Sequence, residues 1–170
     1  MASSGVGGAG GAGCIDEQGT GKTKTSCNSM KIAPASAGSV CGPNMTDDSP
    51  GYTVCQHLFD VLTAGLAEDT YSCLSKISGD ATNACDIKQV SACVLASLQN
   101  ACDRPEIATY CQDTSMICKN GTLGKALCES DLRALNDAAL STYTDCMKAD
   151  ASAKTCEEVH EECFSVLIGS

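Results

Sequence analysis

Between Cys55 and Cys73 the apolar side chains Leu58, Phe59, Leu62, Leu66 and Tyr71 stand three, four, seven, eleven and sixteen places after Cys55. These offsets trace one face of a helix, because strand alternation would require even ones. Cys73 lies eighteen residues past Cys55, five turns at about 3.6 residues per turn, so both thiols belong to that stripe. The same interval separates Cys128 from Cys146, with Leu132, Leu135, Ala139, Leu140 and Tyr143 between them. A second cysteine pair follows each copy, Cys85 with Cys93 and Cys156 with Cys163.

Start and stop signals divide the rest. Ser49-Pro50 opens a first helix, predicted to run to about Leu74, and residues 78–83 form a turn. A second helix places Ile87, Val90, Val94 and Leu98 on one stripe and ends near Asn100. Asp103-Arg104-Pro105-Glu106 reads as a capping box for a third, which carries Ile107, Cys111 and Cys118 and stops at Asn120-Gly121. A fourth covers roughly 124–147, and a short fifth opens at the capping box Thr155-Cys156-Glu157-Glu158. The expected fold is all-α, a disulfide-stapled array of about five antiparallel helices with an irregular cysteine-containing N-terminal arm. Residues 1–13 are a Gly/Ala/Ser-rich tether, 14–50 the disulfide-anchored arm and 51–170 the helical domain. Within that domain 51–102 and 124–170 read as two related hairpins joined by a middle helix.

Composition changes this picture in one respect. Leu, Ile, Val and Phe number only 29 of 170 residues and the net charge is -10, values that favour disorder. Fourteen cysteines oppose it, since each cross-link typically contributes ~2–4 kcal/mol by restricting the unfolded chain. Their even number, wide dispersal and lack of any CxxC predict disulfides and an oxidising compartment. The protein is thus expected to be secreted or extracellular, or to occupy a bacterial periplasm or cell surface. Met1 is followed by neither a basic start nor an apolar run, so the secretory signal is expected to be absent from this mature sequence. Gly11-Ala12-Gly13-Cys14 matches the end of a lipobox without the apolar segment that should precede it. No stretch reaches the ~20 apolar residues of a membrane span. The acidity argues against nucleic acid as a partner.

Helix-end geometry suggests Cys73–Cys85 and Cys146–Cys156 as staples of two turns, with Cys118–Cys128 and Cys55–Cys102 as further pairs. Cys163 would then reach Cys93, Cys111 or the arm. Three arm cysteines cannot all pair among themselves, so at least one bond ties Cys14, Cys27 or Cys41 to the helical body.

Candidate chemistry is sparse. Gly19-Thr20-Gly21-Lys22-Thr23 has the ending of a P-loop but lacks its first glycine and the preceding strand, which makes it a loop. Cys156, His160 and Cys163 share one helix face at offsets of four and seven, a spacing suited to copper or zinc if the thiols are reduced. Glu157 and His160 form one Glu-x-x-His step, and a di-iron site needs two. His57 follows Cys55 by two residues, yet a bridged cysteine supplies no nucleophile. Asn44 and Asn120 begin glycosylation triplets, relevant if the source is eukaryotic. The reading is a non-catalytic, secreted binding or assembly protein without cofactor, engaging a protein partner or its own copies. The alternative is thiolate and histidine metal storage or delivery.

Overall fold

The computed structural model describes residues 13–30, 41, 49–78, 85–150 and 154–169. Seven α-helices follow a 3-10 helix, η1 (Lys24–Met30): α1 Pro50–Val61, α2 Ala64–Ile77, α3 Ile87–Gln99, α4 Pro105–Ile117, α5 Lys125–Leu132, α6 Asp137–Asp150 and α7 Cys156–Ile168. Among the described residues extended pairing is confined to two isolated bridges. The regular structure of the described residues is all-helical, and every cysteine is in a disulfide.

Two predicted helices are each broken in the middle. The first stops at Val61 and resumes at Ala64, and the fourth stops at Leu132 and resumes at Asp137. The breaks satisfy one another: Leu62 and Leu135 form an antiparallel bridge, with the Thr63 amide donating to Ala134 O at 2.9 Å and the Asn136 amide to Val61 O at 2.9 Å. Amides lost from one helix thereby find carbonyls lost from the other, so neither backbone is left unpaired. Asn136 locks the junction, donating from Nδ2 to Asp60 O and Leu62 O and accepting the Ala139 amide on Oδ1. Of the other helix starts, Ser49 caps α1 and Thr155 with Glu158 forms the expected capping box of α7. The box expected at Asp103 is not formed. Arg104 takes the N-cap position of α4, and Asp103 turns to the Arg133 guanidinium at 2.8 Å.

The disulfides are Cys14–Cys102, Cys27–Cys55, Cys41–Cys85, Cys73–Cys93, Cys111–Cys128, Cys118–Cys156 and Cys146–Cys163. Four expected pairings give way to these: Cys73–Cys85, Cys146–Cys156, Cys118–Cys128 and Cys55–Cys102. The reason is where antiparallel helices touch. Cys73 and Cys93 sit a turn or more inside α2 and α3 and face one another, as Cys146 and Cys163 do in α6 and α7. The cysteines nearest the turns, Cys85 and Cys156, are then free to bind segments outside their own hairpins. The parity argument holds, since all three arm cysteines bond to the body.

One order recurs. In the set 27, 41, 55, 73, 85, 93 the first cysteine bonds the third, the second the fifth and the fourth the sixth. The set 111, 118, 128, 146, 156, 163 repeats that order. The remaining bond joins Cys14 and Cys102, the residues that precede each set.

Two apolar clusters form the core. The larger holds Leu58, Leu62, Leu66, Ile107, Leu132, Leu135, Tyr143 and Met147, and the smaller gathers Cys27, Met30, Cys55, Leu74, Val90 and Cys93 beneath the arm. Cystine sulfur fills space that larger apolar side chains would otherwise occupy, which suits a chain without Trp.

Candidate binding cleft at the helix junctions

The arm is held by its own backbone. Ile15 N donates to Asn100 O at 2.7 Å and Ile15 O accepts from Cys102 N at 3.1 Å, beside the Cys14–Cys102 bond. Glu17 O then accepts the Gly65 amide at the start of α2. Gly65 is required there, because a β-carbon would lie 1.9 Å from Asp16 O.

Further along, the loop that resembles a P-loop does cradle an oxyanion, and the oxyanion is the chain's own. Glu68 Oε2 accepts from the Thr20 amide at 2.8 Å and its hydroxyl at 2.6 Å, while Oε1 accepts from the Gly21 and Lys22 amides at 2.8 Å. The Thr20 hydroxyl, followed by the three amides, lowers the Glu68 carboxyl to about 2. Gly19 permits this approach, since its β-carbon would fall 2.5 Å from Glu68 Oε1. Convergent amides from glycine-containing turns bind anions wherever they occur.

Docking the arm leaves a cleft of about 650 Å³ between residues 14–17, the start of α2, the α3–α4 linker and the α5–α6 junction. Ile15, Leu66 and Ala101 give it apolar surface. Both arginines of the sequence line it. Arg104 donates from Nη1 to Leu135 O at 2.6 Å and lies 3.1 Å from Glu17 and 2.8 Å from Glu106. Glu106 is held below its ordinary value by its own backbone amide and then by Arg104. Arg133 contacts Asp103 and Gln99 O, leaving its Nε without a partner. Thr63 also lines the cleft at 6% exposure, and its hydroxyl neither caps α2 nor meets another group. Thr63 Oγ1 and Arg133 Nε are the two buried side-chain polar atoms without a partner among the described residues. Groups of this kind are costly to bury unmet, and both residues stand in the wall of the cleft with these two atoms turned out of reach of solvent.

The residues singled out by spacing lie elsewhere. Cys156 and Cys163 are bonded to Cys118 and Cys146, so neither sulfur is a thiolate. His160 is wholly buried between α5 and α6. Its Nε2 contacts Asp131 Oδ2 at 2.9 Å and its Nδ1 contacts the Tyr143 hydroxyl at 2.7 Å, with Phe164 stacked on the ring. A carboxylate oxygen accepts, so in the neutral imidazole Nε2–H donates to Asp131 and Nδ1 accepts from the Tyr143 hydroxyl. Burial raises the Tyr143 phenol, which keeps it a donor. Both ring nitrogens are engaged, and the three residues do not present the metal-binding face their spacing suggested. His57 Nε2 meets Leu167 O. Asn120 is exposed in the turn after α4, its carbonyl accepting the Cys156 amide at 2.9 Å, and Asn44 lies outside the described residues.

Thr63, Arg104 and Arg133 were not among the residues that motif and spacing selected. The one signal for the arginines was scarcity, a chain with nine lysines carrying two of them, and none marked Thr63. Among the described residues no helix is long and apolar enough to cross a membrane. No protein family, curated protein or solved structure matches the chain.

Proposed function

We propose that this is an extracellular, non-catalytic binding protein whose ligand or partner engages the cleft at the helix junctions. The observation that carries the reading is a cleft of about 650 Å³ that combines apolar surface from Ile15, Leu66 and Ala101 with both arginines of the chain. The disulfides support an oxidising location, because seven cross-links would not persist in a reducing cytosol. The nucleophile candidates support a non-catalytic role: both histidines are engaged and the cysteines are bonded. We further read the chain as two copies of one six-cysteine unit, divided near Cys102, with the cleft at their junction. The repeated bond order supports this division over the two hairpins expected at 51–102 and 124–170. A protein partner or a second copy would meet an acidic surface, given the net charge of -10.

A ligand-observed NMR screen of a chemically broad fragment library tests the reading. Hits are expected on the oxidised protein and lost on Glu17→Trp, which fills the mouth of the cleft from a half-exposed side chain. Hits unaffected by that change, or none at all, would overturn the cleft as the binding site. Circular dichroism of the variant confirms that its helices are retained.

A further inference from the structure

The two interrupted helices meet in a twofold manner. Thr63 donates to Ala134 O and Asn136 to Val61 O, each donor and each acceptor taking the same place relative to its own cysteine, Cys55 or Cys128. The helices that follow the breaks, α2 and α6, are therefore counterparts, and each is bonded to the helix packed against it, through Cys73–Cys93 and Cys146–Cys163. Counted back from Cys73 and Cys146, Gly65 corresponds to Ala138 and Glu68 to Ser141. Their surroundings differ. The non-helical arm lies along α2, where Glu17 O accepts the Gly65 amide and Glu68 accepts the Gly21 and Lys22 amides. The Lys22 ammonium also stands 5.7 Å from the centre of the Tyr71 ring. Gly65 and Glu68 are buried, whereas Ala138 and Ser141 are exposed. Where α2 carries the arm, α6 borders an open groove of about 450 Å³ against α4.

Buried Ile107 and Leu140 and half-buried Tyr110 give this groove its apolar surface. Carboxylates stand in the solvent around it: the Asp137 side chain is 97% exposed, Asp145 76% and Glu106 57%. Against these three stand Arg104 and Lys148, and Arg104 is already bound to Glu17, Glu106 and Leu135 O. The groove thus has an excess of carboxylate within a chain of net charge -10, which attracts a basic segment and repels an acidic one. We propose that the groove between α4 and α6 docks a basic peptide segment of a partner protein, covering α6 as the chain's own arm covers α2. A peptide is the fitting occupant because the corresponding face of α2 is met by a backbone carbonyl and backbone amides. A second copy is not, because two chains of this charge repel. The surface lies beyond the cleft of the proposed function and shares only Arg104 and Glu106 with it.

Selection of short random peptides displayed on phage against the full oxidised chain tests the proposal. Enriched sequences are expected to be rich in Lys and Arg and to bind Glu17→Trp as they bind the parent. On Ser141→Trp they are expected to lose about tenfold or more in affinity. Ser141 is exposed and the change is neutral, so the charge of the protein is untouched and loss of binding reports the groove itself. Circular dichroism of Ser141→Trp checks that its helices are retained. Asp137→Asn combined with Asp145→Asn is expected to weaken the same peptides about threefold to tenfold, the size of two exposed charge pairs. Enrichment of acidic or uncharged sequences would overturn the basic occupant. Basic sequences indifferent to Ser141→Trp would show attraction to the net charge alone and reject the groove. Sequences lost on Glu17→Trp and kept on Ser141→Trp would place the peptide in the cleft instead. No enrichment at all would overturn the groove as a docking site, while the fragment screen separately decides the cleft.

Discussion

Leu62 and Leu135 face one another across an isolated antiparallel bridge, and each lies seven residues past its cysteine, Cys55 in one case and Cys128 in the other. The two breaks in the helices are therefore one event. Each chain segment leaves helical geometry where the other can accept its amide, and the Arg104 guanidinium donates to Leu135 O from the α3–α4 linker. Straightening either segment would strand the backbone of the other and remove a wall of the cleft.

Asn136 is the side chain that holds this junction, so Asn136→Ala is expected to destabilise the protein by about 2 kcal/mol, the size of a lost helix cap with its companion hydrogen bonds. Urea denaturation measures it. A midpoint equal to the parent's would show that the bridge stands without the side chain.

Docking of the arm depends on ionised Glu68. Its carboxyl lies at about 2 in the folded chain against an ordinary value of 4.5, so its contribution is fully present above about pH 4.5. That contribution is lost as pH falls from there through about 2. Hydrogen exchange at the Thr20, Gly21 and Lys22 amides is expected to lose protection over this interval, and Glu68→Gln is expected to lower it already at neutral pH.

Gly65→Ala places a β-carbon against the Asp16 carbonyl, which is backbone and cannot swing away. The expected cost is about 2 kcal/mol, within the range of overpacked sites. Faster proteolysis within residues 14–30 would report arm release, and unchanged proteolysis would rule out the close approach.

His160→Phe keeps an aromatic ring beside Phe164 but leaves the buried Tyr143 hydroxyl without its acceptor. A loss of about 1–3 kcal/mol is expected from that unmet group. Thermal unfolding of His160→Phe alongside the double variant with Tyr143→Phe separates the hydrogen bond from the packing, since the second change should restore part of the stability.

Intact mass after alkylation without reductant is expected to show no labelled cysteine, native or denatured. Non-reducing peptide mapping should recover Cys73–Cys93 and Cys146–Cys163, and a Cys73–Cys85 fragment would reject the register of α2 on α3. Full reduction is expected to abolish most far-UV helical signal, since 29 large aliphatic and Phe residues give little core to replace seven cross-links.

Much of this was local and therefore legible. Periodicity in 55–73 and 128–146 required helices, Ser49-Pro50 and Thr155-Glu158 marked two of their starts, and dispersed cysteines implied bonds. These follow from side chains within a few residues of one another, where spacing alone determines which groups meet. Tertiary structure decided the rest. A helical period runs unbroken through Leu62 and Leu135, and only the presence of the other segment makes the break favourable at both. Which cysteines bond depends on the facing registers of packed helices, a relation absent from any single stripe. Glu68 fills the glycine loop from 46 to 48 residues away, and Thr63 and the two arginines reach one cleft from three chain segments. Cysteine spacing put Cys156, His160 and Cys163 on one face of α7, but that face became core, because the distant Asp131 and Tyr143 satisfied the imidazole and two other helices supplied the sulfurs.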